Sequence, residues 1–105
     1  MTHIQIQITF PTPELAQKMA EKLVREKLVA CAQVCGTIQS FYTWKGVCEK
    51  SEETLLLTKT RLSLFKSVES AIRKDHPYEC PQIVALPIVS ASADYLKWVD
   101  EQLRT

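Results

Sequence analysis

A single α+β domain over residues 1–105, one antiparallel sheet with helices in split βαβ order, is the expected fold. Three observations lead there. The apolar residues switch between a period of two and a period near 3.6, and the switches give the order β-α-β-β-α-β-α. At 105 residues the chain has room for one core and no second domain. Two glycines, five prolines and no low-complexity stretch leave nearly every residue in a regular element.

The first strand is read from Ile4, Ile6, Ile8 and Phe10 alternating with Gln5, Gln7 and Thr9. Thr12 can cap a helix and Pro13 suits its first position. Leu15, Ala16, Met19, Ala20, Leu23 and Val24 then form an inward stripe, and this helix is expected to end near Lys27. Val29 to Tyr42 reads as the second strand and Val47 to Thr60 as the third. Lys45-Gly46 turns between them, with Gly46 as the site of positive φ. A second helix presents Leu64, Phe65, Val68, Ala71 and Ile72 and must stop near His76, because Pro77 disfavours helical geometry before it. Ile83 to Ile88 is apolar on both faces, as a buried strand would be. Ser92 is placed to cap a last helix with Tyr95, Leu96, Val99 and Leu103 inward. The order is the ferredoxin-like one with an added C-terminal helix.

Thirteen Lys and Arg against twelve Asp and Glu give a net charge of +1. Nucleic acid and anionic membranes select clustered positive charge, so neither is expected as a partner. No apolar run reaches the ~20 residues of a membrane span. The Met1–Ile6 segment lacks the basic and apolar regions of a secretory leader. The chain is therefore expected in the cytoplasm, with Cys31, Cys35, Cys48 and Cys80 as reduced thiols.

The middle hairpin is too long for its sheet. Val29–Tyr42 outruns a first strand of about eight residues by roughly 20 Å at about 3.3 Å per residue. A protruding two-stranded ribbon is marginal in water, and this one carries Phe41, Tyr42 and Trp44. Pairing with other copies of the chain is the expected remedy; the alternative is a ribbon folded back over its own sheet.

Several segments now resemble one family. Leu28-Val29-Ala30-Cys31-Ala32, Ser40-Phe41-Tyr42-Thr43-Trp44-Lys45-Gly46, Lys59-Thr60, His76-Pro77-Tyr78-Glu79, Leu86-Pro87-Ile88 and Tyr95-Leu96-Lys97-Trp98 are together similar to the CutA divalent-cation tolerance proteins. The resemblance covers almost the whole chain. It implies a ferredoxin-like protomer in a homotrimer joined by intersubunit β-pairing, similar in architecture to PII-type nitrogen regulators. It also implies a link to copper and divalent-cation tolerance, and no catalytic reaction.

By resemblance, His76 corresponds to the family's His-Pro-Tyr-Glu histidine, and a neutral imidazole ligates Cu(II) or Zn well. The plainer reading is a helix-end histidine whose charged form suits the helix dipole. Where some bacterial relatives carry a cysteine and two adjacent histidines, this chain has Ile8, Asp75 and His76. Asp75 can still donate oxygen, but a soft Cu(I) site loses its thiolate. Cys80 lies near His76 and could pair with it. Cys31 and Cys35, on an extended strand, stand about 13 Å apart and cannot share a metal. Each cysteine is otherwise a small hydrophobe.

Trp44, Glu49, Glu53, Lys59, Tyr78, Glu79 and Trp98 match the family's recurring polar and aromatic positions. They are candidates to line an intersubunit pocket for a metal ion or small anion, or to pack an interface with satisfied ion pairs. Gln82 and Ala91 stand where relatives often carry Glu and Gly. Three functions follow: a homotrimeric binding or regulatory protein of metal-ion tolerance, an assembly module without a ligand, or an enzyme with Cys80 or Cys35 as nucleophile and His76 as base.

Overall fold

The computed structural model describes residues 2–104. In chain order the elements are β1 (His3–Phe10), α1 (Pro13–Arg25), β2 (Cys31–Trp44), β3 (Val47–Arg61), α2 (Phe65–Asp75), β4 (Ile83–Pro87) and α3 (Ala93–Gln102), with a 3₁₀ turn at Leu62–Leu64 before α2. The sheet runs β2-β3-β1-β4 with every neighbouring pair antiparallel, the expected ferredoxin-like topology.

The alternation in β1 does what its period requires. Ile4, Ile6, Ile8 and Phe10 are buried against Ala16, Met19 and Leu23 of α1, Val68 and Ile72 of α2, and Leu56 of β3. Two threonines enter the buried layer with their hydroxyls satisfied: Thr58 donates to the Ile6 carbonyl at 3.3 Å and Thr60 to that of Leu28 at 2.7 Å. At the far end of the sheet α3 closes a smaller cluster of Ala30, Leu64, Val99 and Leu103. Asp100 ties that end together, 2.9 Å from His3 Nε2 and 3.5 Å from the Arg61 guanidinium.

Several boundaries differ from expectation for identifiable reasons. Thr12 caps α1, its hydroxyl accepting from the Leu15 N–H at 3.3 Å, but the helix ends at Arg25 rather than near Lys27. Lys27 sits at φ 59°, while the Leu28 N–H bonds to the Leu23 carbonyl and the Lys27 N–H to that of Val24. This pair of bonds is a Schellman stop, usually carried by glycine at the left-handed position. Lys27→Gly is therefore expected to raise stability by about 0.5–1 kcal/mol, read from the urea midpoint at unchanged slope. The connection after Lys27 holds Leu28, Val29 and Ala30 in the core, so β2 begins at Cys31 rather than Val29.

The hairpin turn takes positive φ at both Lys45 (52°) and Gly46 (81°), not at Gly46 alone. Trp44 and Val47 are the pair that flanks it. A two-residue turn that follows the twist of its strands needs both central residues in that region. Ser92 stands at the start of α3 without a side-chain bond to the helix; Asp94 instead accepts from the Tyr95 N–H at 2.9 Å.

β4 was expected to be buried on both faces. It is an edge strand paired only to β1, with Val84 43% and Leu86 41% exposed. Their register partners are Gln5 and Gln7, on the face opposite Ile4, Ile6 and Ile8, and a single chain leaves that side of β4 uncovered.

The hairpin overhang is present. β1 pairs with β3 only as far as Phe10↔Thr54, so residues 47–53 pair with residues 38–44 and nothing else. The molecule measures 45 × 25 × 23 Å, and its radius of gyration of 14.3 Å exceeds the about 13 Å of a compact domain this size. The ribbon does not fold back: Phe41 is 66% and Val47 56% exposed.

Candidate functional site at the base of the hairpin

β1 stops at Phe10 while β3 continues, which leaves open space beside the first unpaired residues of the ribbon. The segment after α2 enters it. His76 terminates α2 with extended backbone, as Pro77 demands, and the chain turns across the end of β1 toward β4. Between this segment and the ribbon lies a cleft of about 640 Å³, within the size range of small-molecule sites.

His76 positions the segment. Its Nε2 lies 2.7 Å from the Thr9 carbonyl, and its Nδ1 lies 3.2 Å from the Tyr78 N–H. A carbonyl only accepts and a backbone N–H only donates, so the ring is the neutral Nε2–H tautomer. Its face stacks on Phe10 with centroids 4.8 Å apart. The charged, dipole-bound form expected at the helix end is not the one held here. Both nitrogens are also already committed to the backbone.

Tyr78, fixed by that bond, donates its hydroxyl to Glu53 Oε2 at 2.8 Å. Glu53 is only 7% exposed, and no bond to its Oε1 is formed among the described residues. Burial first, then the hydrogen bond to Glu53 and the nearby charges of Glu53 and Tyr42, push the Tyr78 hydroxyl well above its ordinary pKa. It therefore remains a donor throughout the physiological range. Opposite, Tyr42 is oriented by a 2.6 Å bond between its hydroxyl and Ser51.

Of the seven pocket candidates, Trp44, Glu53, Tyr78 and Glu79 line this cleft in a single chain, and Glu49, Lys59 and Trp98 do not. Glu49 pairs with Tyr42 farther out on the exposed ribbon. Lys59 lies roughly 20 Å along the same strand from Glu53 and donates to Gln33 at 3.1 Å. Trp98 is on α3, 5.9 Å from the Tyr95 ring. The cleft also takes in Thr9, Phe41, Tyr42 and Gln82. Phe41 and Tyr42 had a signal in sequence, as large apolar groups on an overhang, and Gln82 one by resemblance, as a position where relatives often carry Glu; Thr9 had none.

The metal candidates do not come together. Asp75 Oδ2 is held by Lys22 Nζ at 3.0 Å, His76 has no free nitrogen, and Cys80 is exposed at the cleft wall. Among the described residues, no three His, Cys, Asp or Glu side chains converge as a metal site. The arrangement does not fit a copper centre within one chain. Nor does His76 have a nitrogen with which to activate Cys80 or Cys35, and the Cys35 thiol donates to the Gln33 carbonyl at 3.9 Å.

Away from the cleft, the Tyr95 hydroxyl lies 3.5 Å from Cys31 Sγ. That hydrogen bond, followed by burial, pushes its pKa up to about 12. Both shifted tyrosines hold their protons more tightly folded than unfolded, where the value is 10.0. Their contribution is thus complete below pH 10 and declines as pH rises above it, that of Tyr95 being lost by about 12 and that of Tyr78 later. Urea midpoints are expected to fall between pH 9.5 and 11.5, and Tyr78→Phe should flatten that fall.

Residues 4–102 match the family model described as CutA1 divalent ion tolerance protein. The chain is 39% identical over 94 residues to the divalent-cation tolerance protein CutA of Thermus thermophilus, covering 90% of this chain and 91% of that protein. It is 37% identical over 101 residues to the chloroplastic protein CutA of Arabidopsis thaliana, covering 96% of this chain. It spans only 56% of the length of that plant relative. The crystal structure of CutA1 from Oryza sativa superposes with a TM-score of 0.96 at 33% identity, covering 99% of this chain and 95% of that one. On sequence and on fold alike, the chain belongs to the CutA1 divalent ion tolerance family.

Proposed function

We propose that the chain assembles as a homotrimer and acts as a binding, regulatory protein of divalent-cation tolerance, taking a positively charged ligand in the cleft beside Glu53. The charge of the cleft carries the ligand part of this reading. Its lining includes the carboxylates of Glu53 and Glu79 and no lysine, arginine or histidine. A small anion would meet no counter-charge there, whereas a cation meets two. Copper or another divalent ion would find hard oxygen donors at Glu53 and Glu79, with water or a neighbouring copy completing its shell. Neutral His76 acts from behind, holding Tyr78 and through it Glu53.

Assembly is supported by the ribbon, which exposes unpaired strand edges and aromatic side chains beyond its own sheet, and by the bare apolar side of β4. Against His76 as the base of a cysteine nucleophile stands the engagement of both its nitrogens by the backbone. Four free cysteines suit a reducing compartment, consistent with a cytoplasmic protein.

Calorimetric titration of the assembled protein with Cu(II), Zn(II), Mg(II), choline, sulfate and ATP tests the ligand reading. Saturable binding of at least one cation, weakened at least tenfold in Glu53→Gln, is expected. Binding of anions with no response to any cation would overturn it, and silence toward every probe would leave an assembly module.

A further inference from the structure

We infer that the cation accepted by the cleft is an organic ammonium ion with an apolar body, held by an aromatic cage with a carboxylate floor. The inference rests on the cleft being the ligand site, as proposed above, and concerns what fills it.

The lining decides between a bare metal ion and an organic cation. A divalent ion of this size class takes six or more oxygen donors, or four mixed ligands. The cleft supplies two carboxylates, and one oxygen of Glu53 is already engaged by Tyr78. What it supplies in excess is aromatic surface: Tyr42, Trp44 and Tyr78 border it, and Phe41 adjoins it from the alternate face of the ribbon. Aromatic faces contribute little to binding a hydrated metal ion, but they attract alkylammonium groups, whose charge is spread and weakly hydrated. A volume of about 640 Å³ exceeds the need of a single ion and suits a small organic molecule.

Two further observations agree. The ribbon's own lysines already seek these rings: Lys45 Nζ lies 5.9 Å from the Trp44 ring centroid and Lys50 Nζ 5.7 Å from that of Phe41. Neither lysine lines the cleft. In addition, Glu53 is buried and oriented, so its charge is little screened by solvent and cannot swing away. A buried carboxylate under aromatic walls is the complement of an ammonium group, with the cage excluding water from the charge pair.

The test uses the full assembled chain carrying Trp98→Phe, so that Trp44, the other of the two tryptophans, reports alone. It is titrated with choline and with 3,3-dimethylbutan-1-ol, the same shape without the charge. The expected result is saturable quenching or enhancement by choline, with the neutral alcohol at least tenfold weaker. Glu53→Gln and Glu79→Gln should each weaken choline at least fivefold and leave the alcohol unchanged. Glu79 is exposed, so its variant remains informative should Glu53→Gln fail to fold. Equal binding of alcohol and choline, or no binding of choline, overturns the inference. Where choline fails but Cu(II), Zn(II) or Mg(II) binds in a Glu53-dependent way, the cation-binding cleft stands and only the organic ligand falls. Where choline and all three metals fail, the cleft reading falls with it.

Discussion

Phe10→Ala is expected to destabilise the protein by about 3–5 kcal/mol, a large core loss placed directly behind the cleft through its stack on His76. Phe10 is almost fully buried at the end of β1, packed against both helices and stacked on His76. Its removal opens a cavity that the surrounding sheet cannot collapse into, because its partner Thr54 is held in the ladder. It also removes the surface on which the imidazole rests. His76 then loosens, and with it the bond that fixes Tyr78. Urea unfolding at constant protein concentration should show the midpoint fall, and choline or metal binding should weaken more than in a core variant of equal cost, such as Ile72→Ala. Equal loss of binding in the two variants would show that the His76 stack does not position the cleft.

The second large effect is on assembly. Phe41 and Val47 are the two most exposed apolar residues of the ribbon. Covering each by a neighbouring copy would contribute about 1.5–3 kcal/mol. The double variant Phe41→Ser, Val47→Ser should then weaken association by a hundredfold or more while leaving the protomer folded. Size-exclusion chromatography with light scattering reads the first effect and circular dichroism the second. An unchanged oligomer would mean that the ribbon is not what joins the copies.

What the sequence made legible follows from which interactions are local. The alternation of Ile4, Ile6, Ile8 and Phe10 declared β1, and Pro77 marked the end of α2. The overhang followed from a comparison of strand lengths. The end of α1 was legible to within two residues, but its left-handed stop at Lys27 was not, because a lysine carries no mark of that conformation. The exposure of β4 escaped because an apolar run fits a buried strand and an edge strand awaiting a neighbour equally well. The cleft was legible only in pieces. Glu53 and Tyr78 are 25 residues apart, and they meet because β3 outlasts β1, a three-dimensional fact that no spacing encodes. For the same reason Lys59 and Trp98, equally prominent by resemblance, lie elsewhere in a single chain. The occupied nitrogens of His76 could not be read at all, since they depend on two backbone groups brought near by the fold.

Sedimentation equilibrium of the unmodified chain, diluted over three decades of concentration, reaches the heart of the matter. A ribbon that is finished only by other copies predicts one species of three times the 12.0 kDa chain mass, persisting on dilution. A folded species of 12.0 kDa with native dichroism would contradict it.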